Sequence, residues 1–238
     1  MPLDDTAALL ARQAELGIAT AWVGSYEALL HRDIAGVNAR LAEECVRSAG
    51  RLLPFGAVNL SLPDWDDDVR RCHEVHRMPG VRLLPNYHGY TLADPSFVRL
   101  LTVARERGLV VQIAASMEDP RTQHPLAAVP DVDLRPLPDA MRAAGAKGTM
   151  ILNASRSVPG PLLKSLAGAG ACFDTARVEG VGGIAAFLRG LPPGRVAFGT
   201  HAPFFNPETG LLKVFEAQLA PAETAALLGG TARAFLGR

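Results

Sequence analysis

The sequence predicts an α/β fold: a TIM-type (β/α) barrel of parallel strands, with the first strand missing from the chain. Three observations lead there. Short apolar runs alternate with amphipathic helical patterns roughly every 25–35 residues, the rhythm of parallel βα units. The starts of those runs are plain (Ile18, Leu52, Val81, Leu109), whereas their ends gather polar residues. A barrel keeps its packed end and its working face apart in this way. Seven strand candidates are present where a full barrel has about eight units, and the chain opens on helical sequence. The expectation is therefore a chain that starts downstream of its first strand.

The elements follow in order. Acidic Asp4 and Asp5 precede an Ala-rich helix that Gly17 stops. Residues 18–23 form a strand candidate ending at Gly24-Ser25, and the loop beyond carries Glu27, His31, Arg32 and Asp33. A helix over 34–49 leads to a strand over 52–58 that ends at Asn59. An acidic helix start at 64–68 runs to about Met78. The strand over 80–84 is tipped by Pro85-Asn-Tyr-His-Gly-Tyr90, then a helix occupies 95–108. The strand over 109–115 leads into Ser116-Met-Glu-Asp-Pro-Arg-Thr-Gln-His124 and a Pro-rich passage, placed as a long loop on the working face. Strands over 149–153, 171–176 and 195–199 follow, with helices between them. The chain closes on helical sequence over 211–219 and 221–235.

Composition places the whole chain, 1–238, in one domain with a sizeable core. Apolar residues make up 48% and charged residues 20%, a globular balance. Lys+Arg and Asp+Glu each total 24, so no net field favours nucleic acid or an anionic membrane. No apolar run reaches the length that spans a bilayer, and the acidic N-terminus does not read as a signal peptide. Three cysteines without metal spacing fit reduced thiols in a cytoplasmic protein.

Several polar groups at the strand ends are candidates for chemistry. His201 and His88 titrate near neutral pH and suit proton transfer; the bland reading of each is a hydrogen-bonded histidine at the barrel mouth. Glu118, Asp119, Arg121 and His124 form a dense cluster, either catalytic or a solvated, Asp-capped loop. Asn86 and Asn153 close two strands and offer amides to a ligand. Arg156 suits a carboxylate held by both oxygens. His31-Arg32-Asp33 reads as a helix cap by Asp33 before it reads as an anion site. Gly180-Val-Gly-Gly183 reads as a tight turn before it reads as a phosphate cradle. His73 and His76 read as a solvated helix face.

Four stretches carry a resemblance: Pro79-Gly-Val-Arg-Leu-Leu-Pro-Asn86, Gly108-Leu-Val-Val-Gln-Ile-Ala114, Arg195-Val-Ala-Phe-Gly-Thr-His-Ala-Pro203 and Leu227-Leu-Gly-Gly-Thr-Ala-Arg-Ala-Phe-Leu236. Together they resemble the amidohydrolase-related proteins, the branch similar to aminocarboxymuconate semialdehyde decarboxylase. The resemblance implies a metal-dependent (β/α)8 barrel that performs hydrolysis or non-oxidative decarboxylation. It also implies metal ligands: a His-x-His pair on the first strand, histidines ending the fifth and sixth, and an Asp ending the eighth. Here those positions read as a missing strand, Ala114, Ala154 and His201. Alanine has no lone pair for a metal.

The expectation is a hydrolase or a decarboxylase-type lyase working without the usual metal, on a small carboxylate or a cyclic amide or ester. His88, Glu118 and His201 would move protons, while Asn86, Arg121, His124, Asn153 and Arg156 would hold the substrate. Two alternatives stand beside it. One is an inactive barrel kept for small-molecule binding or for regulating a partner. The other is a divalent metal such as zinc relocated to His88, His124, His201 and Glu118. The expected partner is a small molecule, and the resemblance also brings a homodimer into view.

Overall fold

Seven strands pair in simple chain order, every neighbouring pair parallel: β1 (Ala21–Val23), β2 (Leu52–Ala57), β3 (Gly80–Leu83), β4 (Val110–Ala114), β5 (Thr149–Leu152), β6 (Cys172–Asp174) and β7 (Val196–Ala197). The computed structural model describes residues 5–119, 121, 123–154 and 158–237. Among the described residues no pairing joins β7 back to β1, so the sheet is a barrel open along one seam. The number, order and parallel sense of the strands are those the sequence predicts.

Helices fill the connections: α1 (Thr6–Glu15), α2 (Ile34–Arg47), α3 (Trp65–Glu74), α4 (Pro85–His88), α5 (Pro95–Glu106), α6 (Leu137–Ala144), α7 (Gly160–Gly168), α8 (Gly183–Arg189), α9 (Pro207–Glu216), α10 (Pro221–Ala225) and α11 (Thr231–Phe235). Asp5 and Asp33 cap α1 and α2, accepting from the N–H groups of Ala8 and Gly36 at 2.6 and 2.9 Å. These bonds satisfy donors that the first helical turn leaves free. Gly182, in the left-handed region at φ 65°, makes the tight turn into α8.

Two local outcomes differ from the sequence reading. The tip after β3 folds as the short helix α4. Pro85 suits its first position, and Gly89, at φ 72°, ends it in the left-handed conformation. The closing helix is also not uniform, because a π-helical turn at Ala226–Gly230 separates α10 from α11. That turn has a use: the Leu227 carbonyl accepts the Phe198 N–H at 2.9 Å, satisfying a donor just past β7 on the open seam. On the outside of the molecule, α1 is tied to α9 by an Arg12–Glu208 ion pair.

Strand residues alternate between two environments, as the two-residue period requires. Val81, Leu83, Val111, Ile113, Ile151, Phe173 and Val196 face the helices and join Phe97, Leu100 and Leu101 of α5 in the main core. Fully burying one side chain of that size stabilises by about 1.5–3 kcal/mol. The alternate residues face the barrel interior, where Met150, Cys172 and Ala197 cluster with Trp22, Leu152 and Phe235. Arg82, Gln112, Met150 and Cys172 are successive register partners across β3 to β6, so this interior row changes from charged to apolar along its length. Asn38 clamps α2 to β2: its side-chain amide donates to the Ala57 carbonyl at 2.9 Å and accepts the Ala57 N–H at 2.7 Å.

Candidate active site at the strand ends

The interior row is polar at its β3–β4 end. The Arg82 Nε donates to Gln112 Oε1 at 2.8 Å. Its guanidinium lies against Gly24, where a Cβ would come within 2.8 Å of Nη1. Burial pulls the Arg82 pKa down to about 10, and the Asp174 charge opposes that shift. Arg82 therefore remains a cation at neutral pH.

Asp174 ends β6 and is 8% exposed. Burial pushes its pKa up to about 6, against the backbone N–H groups of Asn153 and Ala176 and the charges of Arg82 and Arg177. The Asn153 N–H donates to Asp174 Oδ1 at 2.8 Å. Gly199 leaves room for this carboxylate, since a Cβ there would stand 2.8 Å from both Cβ and Oδ2 of Asp174.

His201 lies beyond β7, and its Nε2–H donates to the Met117 carbonyl at 2.9 Å. That bond leaves Nδ1 as the acceptor, and the Asn153 side-chain amide faces it at 3.4 Å. The same amide donates to the Ser116 carbonyl at 2.9 Å. Burial drives the His201 pKa down to about 4; the Met117 carbonyl resists the shift, while Arg82 and Arg177 add to it. Asn153 and His201 both hold left-handed backbone, at φ 59° and 53°. Such strain, about 1–3 kcal/mol for a non-glycine residue, gathers at functional sites.

Three aromatic rings roof the site. Phe204 and Phe205 each lie 5.2 Å from the His201 ring, at 31° and 74°. Tyr26, from the loop after β1, packs on Phe204 at 4.8 Å and so bridges the top of the open seam. The Tyr26 hydroxyl donates to Glu118 Oε1 at 3.1 Å. Burial raises the Tyr26 pKa, and so does Glu118. Glu118, Asn153 and His201 are thereby brought into one connected group.

The other residues singled out from the sequence lie apart from that group. His88 is buried, with Nε2 against the Ala28 carbonyl at 2.8 Å, and burial lowers its pKa. The helix α4 turns it toward the backbone of the loops after β1 and β2. Arg121 is turned to Asp119, with both carboxylate oxygens taken at 2.9 and 2.7 Å. His124 caps the turn at Pro125–Ala127, its Nδ1 accepting the Leu126 N–H at 3.2 Å. The Asn86 amide donates to the Pro130 carbonyl at 3.1 Å. Arg156 lies outside the described residues. Arg82, Gln112, Asp174 and Arg177 belong to the site and are absent from the sequence-level candidates.

Two clefts of about 260 Å³ each open at the other end of the strands, one lined by His73, Arg77 and Leu236, the other by Gly148, Thr149 and Phe235. Strand starts and helix stops make up most of their walls. The convergent charges, the strained backbone and the shifted pKa values all belong to the mouth, which is the better site candidate.

A family model for amidohydrolases matches residues 1–144. No curated protein matches the chain in sequence. Solved structures do match it in fold. A 5-carboxyvanillate decarboxylase from Sphingomonas paucimobilis superposes with TM-score 0.78 at 14% identity, over 98% of this chain and 83% of that one. A 2,6-dihydroxybenzoate decarboxylase from Rhizobium gives 0.71 at 14%, over 98% and 88%. A dihydroxybenzoic acid decarboxylase from Polaromonas sp. JS666, with bound manganese and 2-nitroresorcinol, gives 0.73 at 11%, over 98% and 86%.

Manganese in that last structure raises the question of fit here. Ala114 and Ala154 offer no donor, and the His201 Nε2 is committed to the Met117 carbonyl. Arg82 and Arg177 place positive charge beside His201, which opposes a cation. Among the described residues no group of three or more His, Cys, Asp or Glu could hold a metal ion. The relocated set of His88, His124, His201 and Glu118 is not assembled, because His88 is bonded to the loop after β1 and His124 within its own loop. These residues do not fit a divalent metal. Among the described residues, no helix is long and apolar enough to cross a membrane.

Proposed function

This chain belongs to the amidohydrolase family, and from that premise we propose that it is a hydrolase or a decarboxylase-type lyase acting on a small carboxylate or a cyclic amide or ester at the barrel mouth. We propose further that proton transfer there is carried by side chains instead of a metal. The observation that carries this reading is an inversion of acid strength. The buried carboxyl of Asp174 holds its proton up to about pH 6, whereas the imidazole of His201 loses its proton above about pH 4. Between those values Asp174 is a proton donor and His201 is a neutral proton acceptor. Environments that push two titratable groups apart in this way define an acid and a base.

The roles follow from the contacts. Asn153 reads the free ring nitrogen of His201 and, through its own N–H, holds Asp174. A substrate that displaces the Asn153 amide presents its proton to Nδ1. An imidazolium formed there is disfavoured by Arg82 and Arg177, so the proton passes on readily. Phe204 and Phe205 keep water from the ring, and Glu118 is positioned by Tyr26 at the rim.

A panel of small aromatic carboxylates, lactones and cyclic amides tests the reading, with CO2 release or ring opening followed from pH 3 to 9. Turnover is expected to be bell-shaped, with limbs near 4 and 6 and a maximum between them. A profile that rises through neutral pH and stays flat above it would contradict the assignment of Asp174 as the acid.

A second reading is favoured by one specific feature: both ring nitrogens of His201 already face protein groups, under two aromatic rings. On that reading the mouth binds a small molecule without transforming it. Binding without turnover across the whole panel would decide for it.

A further inference from the structure

Arg177 takes up and gives up no proton itself, and it is the residue of the mouth whose hydrogen bonding is least complete. It lies three residues beyond β6 and is 5% exposed. Its guanidinium carbon stands 5.4 Å from the centroid of the Phe205 ring. Its Nε and Nη2 are buried without a hydrogen-bond partner among the described residues. Buried donors are nearly always satisfied, so an unsatisfied pair on one side chain calls for an explanation.

Those two nitrogens form one edge of the guanidinium, the edge that takes a carboxylate by both oxygens. The same protein uses it so elsewhere. Arg121 holds Asp119 through Nε and Nη2 at 2.9 and 2.7 Å, and Arg135 holds Asp133 through the same pair at 2.8 and 2.8 Å. At Arg177 the fork is present and its carboxylate is not. The charge balance points the same way. Arg82 and Arg177 are two cations that both act on the buried carboxylate of Asp174, and His201 is held neutral. The Arg177 guanidinium lies over the Phe205 ring, and Phe205 is itself 36% exposed. Phe204 and Tyr26 continue the aromatic surface beyond it.

We propose that the Nε/Nη2 edge of Arg177 is the anchoring site for the carboxylate of a small aromatic acid, whose ring packs among Phe204, Phe205 and Tyr26. The assignment rests on the mouth being the site where a small carboxylate acts, and it names the residue that recognises it. Arg82 is already engaged with Gln112 and contributes long-range charge only.

Benzoate is the probe, titrated calorimetrically into the full-length protein, with inorganic phosphate as the control. Wild type is expected to bind benzoate saturably. Arg177→Met is expected to weaken that binding roughly 10- to 100-fold, as loss of a charge-assisted two-point contact does. Arg177→Lys keeps the charge without the fork and is expected to recover only part of it. Without ligand, Arg177→Met is expected to melt at the same temperature as wild type or higher, because it removes buried donors that nothing satisfies. An unchanged benzoate affinity in Arg177→Met overturns the assignment. So does phosphate binding as tight as benzoate, or an unliganded Arg177→Met that melts several degrees lower. Binding is read without turnover: a His201→Gln variant that binds benzoate but is inactive upholds the anchor, and an active panel with no Arg177-dependent binding fails it alone.

Discussion

Replacing His201 by glutamine is expected to reduce turnover by roughly 10²- to 10⁴-fold, the range that a positioned acid–base group contributes. Glutamine can still donate an amide hydrogen to the Met117 carbonyl, so the loop after β7 keeps its anchor. It cannot take up a proton at the position of Nδ1. The loss should therefore fall on kcat and not on KM, and the acidic limb near pH 4 should vanish while the limb near 6 remains. Steady-state kinetics of the two proteins across pH check both parts. A variant as active as wild type would remove His201 from the chemistry.

Asp174→Ala is expected to destabilise the fold by about 3–5 kcal/mol near neutral pH, since breaking a buried charge group by deleting one member leaves the others uncompensated. The deletion strands Arg82 and Arg177 and orphans the Asn153 N–H that the carboxylate accepts. Asp174→Asn keeps an acceptor and should cost less. Its pH dependence has a definite sign. The folded pKa of Asp174 is raised above its unfolded value, so its contribution is fully present below about pH 4 and is lost as pH rises through about 6. A shift of that size is worth about 3 kcal/mol. His201 works in the opposite direction: its folded pKa is depressed, so stability is lost as pH falls from its ordinary range toward 4. The two dependences largely offset one another in wild type. In Asp174→Asn the histidine acts alone, and stability should fall by about 3 kcal/mol between pH 7 and pH 4 relative to wild type. Urea unfolding at several pH values measures this directly. A variant that tracks wild type at every pH would mean that Asp174 is not the perturbed carboxyl.

Much of the fold was legible because its signal is repetitive. Each of the seven strands is an apolar run bounded by a helix stop and a polar tip, and the parallel order follows once helices separate them. The ends of the elements were less legible. The run at 195–199 pairs only over Val196–Ala197, because Phe198 leaves the sheet for the π-helical turn of the closing helix.

The site was half legible, for a reason of direction. Sequence places a residue at a strand end but not the way its side chain turns. His88, Arg121 and His124 all follow strands, yet one is turned by a four-residue helix and the others bond within their own loops. His201 and Asn153 were named as candidates, but nothing in their neighbours announces the left-handed backbone that aims them at each other. Arg82, Gln112 and Asp174 did have a signal. Each is a polar residue at an inward position of an otherwise apolar strand, one residue out of phase with the helix-facing set. Counting the period within each short strand would have found them.

The central claim is that protons at this mouth are moved by side chains without a metal, and assay after chelation tests it most directly. Wild-type protein dialysed against a strong chelator, with metal content verified by elemental analysis, is expected to keep its turnover at pH 5 and to gain nothing from added manganese. His201→Gln should remain inactive under both conditions. Activity that disappears on chelation and returns with manganese would contradict the account.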